Sequence, residues 1–171
     1  MESNKVMELS ARRLKNGDAL PDLTLPRVGG GTTILSQYLK GAWGVVLFYR
    51  GDWCPFCNAQ LSGFQRKLED LEKVGARVVA ISVDSQSDAS KTVERSHLTY
   101  PVLYGADVTD VAARFGAYSS ADAHGTYINS TGFIVDPNGD IALVVYSSGA
   151  IGRIVADDAV GLVGYLTKMQ K

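Results

Sequence analysis

The chain has 171 residues, of which 46% are hydrophobic and 20% charged, and its formal net charge is −1. A chain of this length buries roughly 70% of its unfolded surface and needs neither a metal nor a disulfide framework to fold. The scattered, nearly balanced charge lacks the basic stripe that nucleic acid requires, and no uninterrupted apolar run reaches the ~20 residues of a membrane span.

In chain order, residues 1–16 read as a short arm with a helical turn over residues 6–14, and residues 17–171 as a single domain. Thr24-Leu25 and Thr32-Thr33-Ile34 flank Gly29-Gly30-Gly31 and predict a hairpin, with Ser36 capping a short helix through Leu39. The glycines lack the Lys-Ser/Thr pair and the long helix of a phosphate loop, so a turn accounts for them. The unbroken apolar run Val45-Val46-Leu47-Phe48-Tyr49 predicts a central strand covered on both faces. After the turn Arg50-Gly51-Asp52, the spacing of Leu61, Phe64, Leu68 and Leu71 predicts one helix from Pro55 to Gly75. Residues 78–83 form a second apolar strand and complete a β-α-β unit.

Asp84, Ser85 and Ser87 offer caps for a helix through His97, followed by a short strand at residues 101–104 and a helix at residues 108–115. Residues 118–125 are small and polar and read as a surface loop. Two strands, residues 133–135 and 141–146, flank Asp136-Pro137-Asn138-Gly139-Asp140 and form an antiparallel hairpin. Residues 156–169 close the chain as a helix, with Asp157 and Asp158 at its positive end.

The only two cysteines fall at the start of the first long helix, in Trp53-Cys54-Pro55-Phe56-Cys57. Pro55 suits the first helical position, which makes Cys54 the N-cap and places Cys57 in the first turn. Unpaired N–H groups and the macrodipole at that end stabilise a thiolate, and such cysteines reach pKa values of roughly 3.5 to 7.5. One helical turn brings the two sulfurs together, so they can cycle between dithiol and disulfide without any further cofactor. One CxxC supplies only two zinc ligands, and His97 and His124 are distant in sequence, so no metal is expected. Cys57 continues the stripe of Leu61 and points inward; Cys54 is expected to be the more exposed and to attack first. Arg50 and Asp52 in the turn and Trp53 beside Cys54 are candidate supporting residues, although a turn arginine is ordinarily solvated; Arg153, after a glycine-rich bend, has no position that sequence assigns. Two cysteines make no stapling framework, and no apolar, positively flanked segment is seen at the start, so a reducing cytoplasm is the expected location.

A CxxC beside a β-α-β pattern reads as a thioredoxin-like redox motif. The chain further resembles the alkyl hydroperoxide reductase and thiol-specific antioxidant family, the peroxiredoxin-like branch of that fold. The resemblance rests on Ala19-Leu20-Pro21-Asp22-Leu23-Thr24-Leu25, the strand ending in Phe48-Tyr49, Ala80-Ile81-Ser82-Val83-Asp84 and Phe133-Ile134-Val135-Asp136-Pro137-Asn138-Gly139. It implies an α/β, thioredoxin-like fold: a central mixed β-sheet flanked by helices, with an N-terminal β-hairpin extension. It also implies a thiol-based oxidoreductase reducing hydroperoxides, with a thioredoxin-like thiol donor. A protein disulfide reductase and a non-enzymatic redox sensor are the alternatives. Counted from Phe48-Tyr49, Cys57 falls where the family carries its peroxide-reactive cysteine, and Cys54 replaces the threonine that orients the peroxide. Ser130 stands where relatives place an arginine or a cis-proline, and Leu47 and Phe48 leave no buried acid in the central strand.

Overall fold

The computed structural model describes residues 12–170. A hairpin of β1 (Thr24–Pro26) and β2 (Thr32–Ile34) leads into the short helix α1 (Leu35–Leu39) and then β3 (Trp43–Phe48). Next come α2 (Pro55–Arg66), α3 (Leu68–Lys73), β4 (Ala76–Ile81), α4 (Gln86–Ser96), β5 (Val102–Leu103) and α5 (Val108–Phe115). The remaining elements are β6 (Ser119–Asp122), β7 (Gly125–Ile128), β8 (Thr131–Val135), β9 (Ile141–Tyr146) and α6 (Ala156–Met169).

Five strands form one mixed sheet in the order β5-β4-β3-β8-β9. β3 runs parallel to β4 and antiparallel to β8, and every residue of β3 is buried, as its unbroken apolar sequence predicts. Alternation along the strand divides the core. Val45, Leu47 and Tyr49 pack with Cys54, Cys57, Leu61, Phe64 and Val163 on one face, under α2 and α6. Val46 and Phe48 pack with Leu35, Leu39, Val111 and Phe115 on the other, under α1 and α5. The two cysteines therefore sit at the end of the central strand, on the face that α2 and α6 cover.

The N-terminal hairpin, the mixed sheet and the β8–β9 hairpin match the sequence expectation. Three local readings need correction. The helix expected from Pro55 to Gly75 breaks at Lys67, whose ψ of 9° leaves the helical range; the break lets α3 turn the fully buried Leu71 onto the core. Ser36 does not cap α1. The first helical turn instead meets the Asp22 carboxylate, which accepts from the Ser36 amide at 2.9 Å and from its hydroxyl at 2.6 Å. Residues 118–125 are not a loop, because β6 and β7 pair in antiparallel register from Ser119–Ile128 to Asp122–Gly125. The helical turn expected over residues 6–14 falls mainly outside the described residues. Among the described residues, no helix is long and apolar enough to cross a membrane.

Candidate functional site

The turn after β3 delivers the cysteines as the sequence predicts. Cys54 is the N-cap of α2 with extended backbone (φ −89°, ψ 111°), Pro55 is the first helical residue, and the Cys57 amide donates to Cys54 Sγ at 3.3 Å. Both thiols are free. The expected difference in exposure is not found: Cys54 and Cys57 are each 0% exposed. An N-cap side chain is ordinarily open to solvent, but two arginine side chains cover this one.

The first is Arg153, in the segment between β9 and α6. Its Nη2 lies 3.3 Å from Cys57 Sγ and 3.7 Å from Cys54 Sγ, so one guanidinium nitrogen serves both sulfurs. Three further bonds hold it: Nη1 donates to Ser130 Oγ at 3.0 Å and Gln60 Oε1 at 3.2 Å, and Nη2 donates to the Ala150 carbonyl at 2.9 Å. Ser130 thus anchors an arginine supplied from 23 residues further on. The second is Arg50, which the structure turns inward rather than into solvent. Its Nη1 lies 3.8 Å from Cys54 Sγ, its Nη2 donates to Tyr127 Oη at 3.0 Å, and its amide donates to Cys57 Sγ at 3.4 Å.

These donors distribute the charge unequally. The hydrogen bond from the Cys57 thiol, the Cys57 amide and the two guanidinium groups outweigh burial and draw the Cys54 pKa down to about 5. The same hydrogen bond, with burial, raises that of Cys57, which keeps its proton. The shifts favour the thiolate at Cys54 and the thiol at Cys57, whereas the Arg153 and Arg50 donors lie nearer Cys57, at 3.3 and 3.4 Å, than Cys54, at 3.7 and 3.8 Å, so the two sulfurs share one positively lined pocket.

Asp52 fixes the turn beneath them. Its amide donates to Asp84 Oδ2 at 2.8 Å, and its carbonyl accepts from Asn58 Nδ2 at 2.8 Å. Its carboxylate accepts from Thr92 at 2.9 Å and Arg95 at 2.7 Å, both on α4. Burial opposes ionisation of Asp52, but the Arg95 and Thr92 bonds prevail and lower its pKa. Among the described residues Asp84 has no such cation; burial, with the nearby Asp88 and Asp52 carboxylates, pushes it up to about 6 despite the Asp52 amide.

Trp53 packs and Phe56 does not. The Trp53 ring stacks on His124 at 3.8 Å and meets Tyr127 edge-on at 4.9 Å, whereas Phe56 is largely exposed. His124 and Tyr127 come from the β6–β7 hairpin, where Tyr127 also donates to Asp122 at 2.6 Å. Sequence reasoning missed this hairpin and its share of the site. The turn residues Asp122 and Gly125, the latter at φ +86°, were the available signal.

A family model described as the AhpC/TSA family matches residues 16–144. A peroxiredoxin from Treponema denticola is 30% identical over 143 residues, covering 80% of this chain and 66% of that protein. Peroxiredoxin Bcp from Escherichia coli is 30% identical over 131 residues, covering 75% of this chain and 83% of its own length. The chain thus spans slightly under two thirds of the Treponema relative and most of the Escherichia one. Among solved structures, the peroxidoxin BcpB of Mycobacterium tuberculosis superimposes with a TM-score of 0.76 at 26% identity, covering 90% of this chain and 99% of that one.

Proposed function

Because this chain belongs to the AhpC/TSA family, we propose that it is a thiol-dependent peroxidase in which Cys54 and Cys57 reduce a hydroperoxide and become a disulfide. The Cys54 thiolate attacks the terminal peroxide oxygen; the O–O bond breaks, and the leaving alkoxide takes back from solvent the proton that Cys54 released on ionising and departs as the alcohol. Cys54 is left as the sulfenic acid. The Cys57 sulfur then bonds to Cys54, and the thiol proton leaves with the sulfenic hydroxyl as water. Two electrons pass from the dithiol to the peroxide, giving one disulfide, one alcohol and one water.

The observation that carries this reading is the Arg153 guanidinium spanning both sulfurs. It supplies the cation that the residue at position 130 lacks, and a fixed donor beside the reacting sulfur stabilises charge developing on the departing oxygen. The low Cys54 pKa supports Cys54 as the attacking thiol, although alignment by position favours Cys57. The full burial of both sulfurs in the reduced pair supports a small oxidant over the surface disulfide of a folded protein as what the dithiol meets, which distinguishes this reading from a disulfide reductase; the thioredoxin-like donor meets the oxidised pair instead. Reduction back to the dithiol falls to a thioredoxin-like donor, in keeping with a reducing cytoplasm.

The test is stopped-flow mixing of the reduced protein with hydrogen peroxide, followed by Trp53 fluorescence. Oxidation should proceed at least tenfold faster than for a free thiol of the same pKa. Equal rates would overturn the reading, and preferential alkylation of Cys57 at mildly acid pH would reverse the roles of the two cysteines.

A further inference from the structure

A groove of about 520 Å³ runs along the outer face of α2. Phe56, Ala59, Gly63 and Arg66 line it at helical spacing, so a single stripe of α2 forms its floor. At 1.5 Å rise per residue, about 15 Å separates Phe56 from Arg66. Ile151 and Val155 belong to the opposite wall. Phe56, Ile151 and Val155 are 49%, 68% and 53% exposed, and such clustered apolar exposure marks a binding surface.

The two ends of the groove both carry positive charge, with different settings. At one end Arg153 lines the groove and reaches the sulfurs behind it. At the other, Lys67 is engaged by Asp157 at 3.4 Å and Asp70 at 3.9 Å, while Arg66 has no carboxylate partner among the described residues. An apolar trough therefore runs from a guanidinium at the thiols to a second guanidinium that no carboxylate engages among the described residues.

We propose that this groove is a subsite for the tail of an organic hydroperoxide ending in a free carboxylate, with its peroxide group at Arg153 and its carboxylate at Arg66. The proposal rests on the peroxidase reading and adds a selectivity that reading does not require. Hydrogen peroxide leaves the groove empty. A neutral tail covers Phe56, Ile151 and Val155 but leaves Arg66 without an anion. A peptide segment as occupant is disfavoured because in the reduced pair, the form that meets the oxidant, both sulfurs are fully buried behind Arg153, within reach of a slender hydroperoxide.

The experiment compares the oxidation rate of the reduced full chain by three oxidants: hydrogen peroxide, a straight-chain hydroperoxy carboxylic acid below its micelle concentration, and the methyl ester of that acid. The acid should react roughly two- to fivefold faster than the ester, the range of a partly exposed ion pair, and added salt should shrink the difference. Arg66→Gln should bring the acid to the level of the ester, and Arg66→Glu should place it below. A Cβ at position 63 would meet only Arg66 Nη2, at 3.7 Å, so Gly63→Leu fits the fold and projects into the trough. That variant should slow both long oxidants while hydrogen peroxide keeps its rate within about twofold. Equal wild-type rates for acid and ester, a preference that survives Arg66→Gln, or equal slowing of all three oxidants by Gly63→Leu would each overturn the subsite. Failure of the wild type to react with any of the three faster than a free thiol would instead overturn the peroxidase reading.

Discussion

At Cys54 the Cys57 thiol, the Cys57 amide and two guanidinium groups converge on one sulfur, and each favours the thiolate. Alkylation of the reduced protein should therefore reach half its maximal rate near pH 5, against ~8.5 for a free cysteine, and mass spectrometry should find the label on Cys54. The same shift links pH to stability. A folded-state pKa below the unfolded one contributes stability that is complete above ~8.5 and lost as pH falls through about 5. The thermal midpoint of the reduced protein, relative to Cys54→Ser, should accordingly rise from pH 5 to pH 8. The opposite shift of Cys57 acts only above the ordinary thiol range, because its proton is retained there. Arg153→Met should slow oxidation by hydrogen peroxide by roughly 10²-fold and move the alkylation midpoint upward, as expected on removing one fixed donor from a developing charge. The capping geometry of Cys54 was legible in the sequence because it depends on four consecutive residues. The place of Arg153 was not, since it lies 99 residues from the sulfur it serves.

Two elements hold the cysteine turn from opposite sides, and neither follows from the motif itself. On one side α4 grips Asp52 through Thr92 and Arg95, and Asp84 accepts the Asp52 amide. Asp84 has a folded-state pKa of about 6, above the ordinary carboxylate value, so its contribution is favourable at low pH and lost as pH rises through 6. Asp84→Asn keeps an oxygen for the Asp52 amide and removes the charge, and it should raise the thermal midpoint at pH 8 but not at pH 4. On the other side the β6–β7 hairpin presses His124 and Tyr127 against Trp53 and Arg50. Tyr127→Phe removes the acceptor of Arg50 and the donor to Asp122, at a cost of about 1–2 kcal/mol. Hydrogen exchange in residues 119–128 should rise in that variant while β3 stays protected. Small residues such as Ser119, Ser120 and Ala121 carry little strand signal of their own. This hairpin depends on the aromatic contacts it makes with the turn, and no local pattern reports those.

Across the whole molecule, the sheet and the thiol site share a wall at Gly132. This residue of β8 pairs with Leu47 and Val145, and a Cβ there would lie 2.6 Å from Ile154 Cδ1. Ile154 is buried beside Arg153, and its carbonyl accepts from Gln60 at 2.9 Å. Gly132→Ala should therefore cost roughly 1–3 kcal/mol by overpacking and should also slow peroxide oxidation, a joint loss measurable by denaturant unfolding and stopped flow. The sheet itself was legible because apolar runs such as those of β3 and β4 mark strands covered on both faces. The break at Lys67 was not, because the apolar spacing continues through it: Phe64, Leu68 and Leu71 keep the stripe while the backbone turns. The distance along the chain between the thiols and Arg153 also sets an order of events during translation. At ~5–20 residues per second a ribosome takes roughly 5–20 s to travel from Cys54 to Arg153. Throughout that interval the emerging cysteines lack the Arg153 guanidinium, so part of their acidity arrives only once the segment after β9 has been made. A nascent polypeptide therefore carries cysteines closer to ordinary thiol acidity until that segment is in place.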